Sequence, residues 1–216
     1  MLEKLQQKLE RIYEVQAGLD VHDFLVTDHE FVRHMDEEHD LRSSPEKLLV
    51  HQTENDLHVS LYIKQEIIDL LEQDDPLASL NQDNVNAYLI ALEGVSHFIY
   101  LAWNAGHDRE ISLFELELQA EVDKYIFTMI LLANQQDACL PGGLLNRLFL
   151  QHSYASDLNS EEQQRYERAN YYAYHYCKAL HHNCIANQRA SFFNDLRRFY
   201  RLTSHHKINH IATALH

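Results

Sequence analysis

Long apolar runs are missing from this sequence. No stretch of the roughly eighteen apolar residues needed to span a bilayer is present, and the opening Met1-Leu2-Glu3-Lys4 begins a charged helix, not a basic leader followed by an apolar segment. The chain is therefore expected in the cytoplasm, away from membranes. Glycine and proline are scarce, five and three in 216 residues, so there is little material for a flexible linker and one domain over 1–216 is expected. The cysteines are three, Cys139, Cys177 and Cys184. An odd number in a chain too large to need disulfide staples fits reduced thiols. Cys177 and Cys184 lie two helical turns apart, about 10 Å, too far to bridge within an intact helix, and read as core. Also absent are a Gly-rich phosphate loop, a Gly-x-Ser-x-Gly elbow and a Cys-x-x-Cys pair, which removes support from the common nucleotide, hydrolase and thiol chemistries.

Basic charge is short as well. The net charge is −15, and residues 161–216 hold eight Lys/Arg against four Asp/Glu, so the acidic excess sits in the first 160 residues. Such a surface repels nucleic acid and anionic lipid at long range, and any phosphate contact is confined to the C-terminal part.

The apolar pattern divides the chain in two. Leu2, Leu5, Leu9 and Ile12 form the stripe of an amphipathic helix over 2–17, with Gly18 as its stop. Residues 48–52 and 57–63 read as two strands around the polar turn 53–56, and Phe24-Leu25-Val26 as a third short strand or the entry to a helix bearing Phe31 and Val32. From Lys64 onward the period is helical, with helices expected at 64–73, 83–105, 112–134, 142–151, 161–184 and 190–213. Ser112-Leu113-Phe114-Glu115 and Ser160-Glu161-Glu162-Gln163 have the form of capping boxes. The expected fold is α+β, predominantly α: an N-terminal helix and a small antiparallel hairpin element within 1–63, then a helical bundle over 64–216.

Two helices carry the strongest candidates for chemistry. On the helix at 83–105, Val85, Leu89, Leu92, Ser96, Ile99 and Trp103 share a core face, while Asn86, Glu93, His97 and Asn104 form a narrow polar stripe with apolar residues on both sides. On the helix at 112–134, Glu117, Glu121, Lys124 and Thr128 repeat the arrangement. The two stripes are expected to face a shared interior, and a buried carboxylate needs a cation, a hydrogen-bond donor or a metal.

One reading is a divalent metal (Fe, Mn or Zn) or acid/base site built from Glu93, His97, Glu117 and Glu121 and closed by Glu167 or His175 from the next long helix. These four are the candidate catalytic residues. The Glu-x-x-His spacing of di-iron bundles is absent, since Glu93-Gly94-Val95-Ser96-His97 is one residue longer. The other reading is a salt-bridged network in which Lys124 neutralises Glu121 or Glu117 and His97 bonds Glu93. Gly94, inside a helix, signals close approach of another backbone.

Weaker patterns lose to geometry or chance. His29 and His34 are five residues apart and point away from each other on a helix, unlike a His-Glu-x-x-His zinc motif. With 16 histidines, His-Asp pairs such as His22-Asp23, His39-Asp40 and His107-Asp108 arise by coincidence. His206 and His210 have a chelating spacing near the terminus. Tyrosines 166, 171, 172, 174 and 176 interleave with arginines, and Arg197, Arg198, Arg201 and Lys207 form a candidate anion-binding set. The acidic body makes pairing with its own carboxylates the more economical account. The functional expectation is a cytoplasmic binding or regulatory module acting on a protein partner or a second copy of itself. The rival is a metal-dependent enzyme with its Glu/His site inside the bundle, and nucleic-acid binding by the C-terminal Arg/Tyr surface ranks behind both.

Overall fold

The computed structural model describes residues 1–30, 32, 44–53, 56–135, 143–150, 158–185 and 189–214, and for 182–185, 189–190 and 214 the backbone alone. Helix α1 (Leu2–Tyr13) buries Leu2, Leu5 and Leu9 as its stripe requires. It stops before residue 17 because Glu14 turns into the left-handed region (φ 50°) with its N–H on Glu10 O, and the Glu10 carboxylate then takes the N–H of Ala17. A 3-10 turn (Val21–Phe24) leads into β1 (Leu25–Val26), which pairs parallel with β3 (Leu57–Ile63). On its other side β3 pairs antiparallel with β2 (Glu46–Gln52), Glu46 opposite Ile63 and Gln52 opposite Leu57. The expected hairpin is thus two strands of a small mixed sheet. Phe31, His34 and His39-Asp40 lie outside the described residues; Val32 is buried.

The rest is helical: α2 (Gln65–Gln73), α3 (Val85–Ala105), α4 (Leu113–Gln135), α5 (Leu144–Phe149), α6 (Ser160–Ile185), α7 (Arg189–Arg201) and α8 (Ser204–Ala214). The fold is α+β, predominantly α. Ser112 Oγ accepts the N–H of Glu115, but the Glu115 carboxylate accepts from Tyr100 Oη and Arg109, so only half of the expected capping box forms. At α6 the cap lies one residue earlier than expected. Asn159 Oδ1 accepts from the N–H groups of Glu161 and Glu162, and Glu162 Oε2 accepts from Asn159 N–H at 2.8 Å. Helix 190–213 is two helices. Arg109 reaches across to the carbonyl oxygens of Arg201 and Leu202, and α8 restarts with Lys207 N–H on Thr203 O.

Helix α3 is the axis of the molecule, with α1, α2, α4 and the β2–β3 pair packed around it. Its middle, Gly94 to Leu101, is therefore buried on every side, and the single core face expected from its periodicity is too narrow a description. It is long and apolar enough to cross a membrane by length and composition, but most of it is covered by the protein itself. Asn86 of its polar stripe is exposed. Asn104 is buried and donates to Tyr100 O.

Gly94 lets the sheet sit on this helix, with side chains of the strands as its close neighbours in place of the expected second backbone. A Cβ there would lie 2.9 Å from Glu46 Oε2 and 3.0 Å from Leu61 Cδ1. Gly94→Ala is expected to stay within about 1 kcal/mol of wild type, because a carboxylate tip can move and Ala favours the helix by about 1 kcal/mol. Gly94→Leu has the packed Leu61 and Ile63 to displace and should lose about 3 kcal/mol. Urea unfolding of the two variants checks this; equal losses would contradict it.

Candidate metal centre

Between α3 and α4, with β2 above and α6 beside them, five of the side chains picked out by the sequence converge. Glu93 and His97 come from consecutive turns of α3, and Glu117, Glu121 and Lys124 from α4. Ligand atoms of Glu93, His97 and Glu117 all lie within 4.8 Å of one another. His97 is only 7% exposed. Its Nε2 faces Glu117 Oε2 at 3.6 Å and its Nδ1 faces Glu46 Oε1 at 3.9 Å, both beyond hydrogen-bond length. Nε2 has no hydrogen-bond partner, and neither has Glu46 Oε2. Lys124 Nζ donates to Glu93 Oε2 at 3.0 Å and to Glu121 Oε1 at 2.8 Å.

The membership differs from expectation in three respects. Glu167 is exposed on α6 and accepts from Gln163, away from the cluster, because it sits on the outer side of that helix. His175, ten residues beyond Arg165 on α6, packs against the Tyr171 and Tyr174 rings instead. Their place is taken by Arg165, with Nε 4.0 Å from Glu117 Oε1, and by Glu46 from the sheet. Lys124 bridges Glu93 and Glu121, and His97 lies between Glu46 and Glu117 instead of bonding Glu93.

Four carboxylates thus face two permanent cations and one histidine in a largely dehydrated space. Burial pushes the Glu46 carboxyl up to about 8, with Glu93 and Glu117 adding to the shift and His97 and Lys124 opposing it. For His97 burial disfavours the cation, but Glu117, Glu46 and Glu93 outweigh it and raise the imidazole to about 9. Burial likewise opposes charge on Lys124, yet Glu121 and Glu93 prevail and hold it as an ammonium. Burial raises Glu93 too, but Lys124 and His97 bring its carboxyl below the usual range.

A second buried network lies on the other side of the α3–α4 contact, and the sequence reading missed it by assigning Ser96 to the apolar face. Asp123 accepts from Tyr13 Oη, from Ser96 Oγ at 2.5 Å and from Gln119 Nε2 at 2.9 Å. Burial pushes Asp123 up to about 6 against these three donors and Lys207. Gln119 Oε1 in turn accepts from Lys207 Nζ at 2.6 Å.

Lys207 therefore does not belong to an anion-binding surface. Its side chain is fully buried, with Nζ 4.6 Å from the centre of the Tyr100 ring and 4.7 Å from that of Phe199. Arg197 donates to Ile12 O, and Arg201 to Tyr13 O and Glu14 O, so two more of that set bind the carbonyl end of α1. Arg198 stays exposed. Among the histidines of α8, His206 meets Thr203 Oγ1 and His210 pairs with Asp195, so the two do not converge.

Burial lowers the Lys207 pKa from 10.5 to about 7, with Glu115 and Asp123 opposing and Arg109 reinforcing the shift. The unfolded chain binds this proton more tightly, so Lys207 contributes stability that is fully present above pH 10.5 and is lost as the pH falls to about 7. Lys207→Met fills a similar volume without a charge. The stability of wild type minus that of Lys207→Met should rise with pH by roughly 1 kcal/mol per unit within this window. Denaturation of both proteins at several pH values checks it; a pH-independent difference would contradict it.

No protein-family model, curated protein or solved structure matches the chain.

Proposed function

We propose that the chain is a cytoplasmic, metal-dependent enzyme that holds one divalent ion through Glu93, His97 and Glu117. The observation that carries this reading is His97: a nine-tenths buried imidazole with Nε2 lacking a hydrogen-bond partner in front of Glu117 and Nδ1 turned to Glu46. In a metal-binding histidine one nitrogen meets the ion and the other donates to an orienting carboxyl group; here Nδ1 stands 3.9 Å from Glu46 Oε1, and a small shift would close that bond. Ligands bound to one ion at about 2.1 Å stand about 3.4 Å apart, close to the His97–Glu117 separation. Two carboxylates and an imidazole suit Zn, Mn or Fe, and three protein ligands leave room for a water, which the ion would activate as a Lewis acid. The rim reaches solvent through the partly exposed Glu93, Glu121, Lys124 and Arg165.

A second reading is favoured by Lys124, whose bonds to Glu93 and Glu121 are those of a metal-free charge network. In that case the domain is a binding or regulatory module that meets a protein partner or another copy, with exposed Leu113, Leu150 and Tyr171 as contact residues. Duplex DNA is not expected as a partner under either reading, given the acidic surface and the use of Arg197 and Arg201 within the fold.

Calorimetric titration of the chelator-treated protein with Mn²⁺ or Zn²⁺ separates the readings. The metal reading expects a saturable site in wild type that weakens at least a hundredfold in His97→Ala and in Glu117→Gln. A network expects no saturable site, and melting temperatures that a chelator leaves unchanged in all three proteins.

A further inference from the structure

We infer that Lys124 is a built-in second cation: its ammonium occupies, between Glu93 and Glu121, the place that a second metal ion takes in a two-metal carboxylate site, and so limits this protein to one ion. The inference rests on the metal reading of His97, Glu93 and Glu117 and adds to it the number of ions and the residue that sets it.

Geometry carries the argument. Two-metal sites place ions about 3.5–4 Å apart and share a carboxylate between them. Here Glu93 is that shared group. It belongs to the triple with His97 and Glu117, and its Oε2 also accepts from Lys124 Nζ at 3.0 Å. Glu121 completes the lysine's side at 2.8 Å, one turn of α4 from Glu117, so α4 supplies one carboxylate to each cation position while Glu93 of α3 serves both. The ammonium is itself mostly buried, 16% exposed, and it donates to two carboxylates from two helices as a bridging ion would. The Nε2 of His97, which faces Glu117 at 3.6 Å without a hydrogen bond, marks the other position as the one for a metal, since an imidazole can ligate an ion and an ammonium cannot.

An ammonium is a fixed charge that cannot act as a Lewis acid. The site is thereby committed to one-ion chemistry, with Lys124 neutralising Glu93 and Glu121 whether or not an ion is bound. Removing the lysine leaves two facing carboxylates with no cation, the condition that recruits a second ion.

The test is the number of Mn²⁺ ions bound per full-length chain after equilibrium dialysis and removal of free metal. Wild type and Lys124→Arg should bind one. Lys124→Ala and the volume-preserving Lys124→Met should bind two, with the electron paramagnetic resonance signal of isolated Mn²⁺ lost through coupling across the shared Glu93. Adding Glu121→Gln to either should weaken the second ion at least tenfold. If these variants fold only when Mn²⁺ is present, the same count on the metal-folded protein decides. One ion in both variants, or failure to fold even with Mn²⁺, overturns the role of Lys124 while leaving the one-ion site in place. Two ions in wild type overturns it as well. No ion in wild type overturns the metal reading on which it stands.

Discussion

Asp123→Ala is expected to lower the unfolding free energy by about 4 kcal/mol. Asp123 is 2% exposed and accepts from Tyr13 on α1, Ser96 on α3 and Gln119 on its own helix. Truncation leaves three buried donors facing a cavity, and Lys207 loses the carboxylate that compensates it through Gln119. Asp123→Asn keeps the volume but must turn its amide N–H toward one of those donors, so about 2 kcal/mol should be lost. Urea denaturation at neutral pH measures both, provided the slope of the transition is unchanged. A loss below 1 kcal/mol for Asp123→Ala would show that the three helices are held together in some other way.

The second large effect belongs to Lys124. Its removal leaves Glu93 and Glu121 with no cation between them, and Lys124→Ala should lower metal-free stability by about 3 kcal/mol, less than for a fully buried pair because all three side chains touch water at one edge. The loss should be recovered on addition of Mn²⁺, since an ion that binds only the folded state stabilises it by about 2.7 kcal/mol at a hundred times its Kd. Melts with and without metal give the answer. A deficit that metal leaves untouched would mean that Lys124 serves packing rather than charge. Glu121→Gln, which removes one acceptor of this ammonium and keeps the other, should lose less than Lys124→Ala in the same experiment.

These two residues also mark how far the sequence could be read. Glu93, His97, Glu117, Glu121 and Lys124 were legible as one group because each lies a whole turn from the next on a helix with apolar flanks, and a 3.6-residue period projects directly onto a face. Glu46 was not, because a charged residue opening a strand has no periodic partner; only the helical Gly94, beneath Glu46 Oε2, pointed to something pressing on that turn. Arg165 and Glu167 stand two residues apart on α6, and choosing between them needed the rotation of that helix, which packing decides.

Asp123 and Lys207 stayed hidden for a related reason. The wheel separates apolar from polar faces, but the middle turns of α3 and α4 are covered on most sides, so a second polar contact lies where the pattern assigns core. The strands were found to within two residues because their alternation is local. The early end of α1 and the break between α7 and α8 were not, since they depend on Glu14 entering the left-handed region and on Arg109 binding carbonyls from another part of the chain.

The central claim is that His97, Glu93 and Glu117 hold an ion. Its most direct test is the metal content of the full-length chain, purified without a histidine tag and assayed by elemental analysis after dialysis against limiting Zn²⁺, Mn²⁺ and Fe²⁺. The account predicts one ion per chain in wild type and none in His97→Ala. Less than a tenth of an equivalent in wild type, with the protein folded and its melting temperature indifferent to chelator, would contradict it.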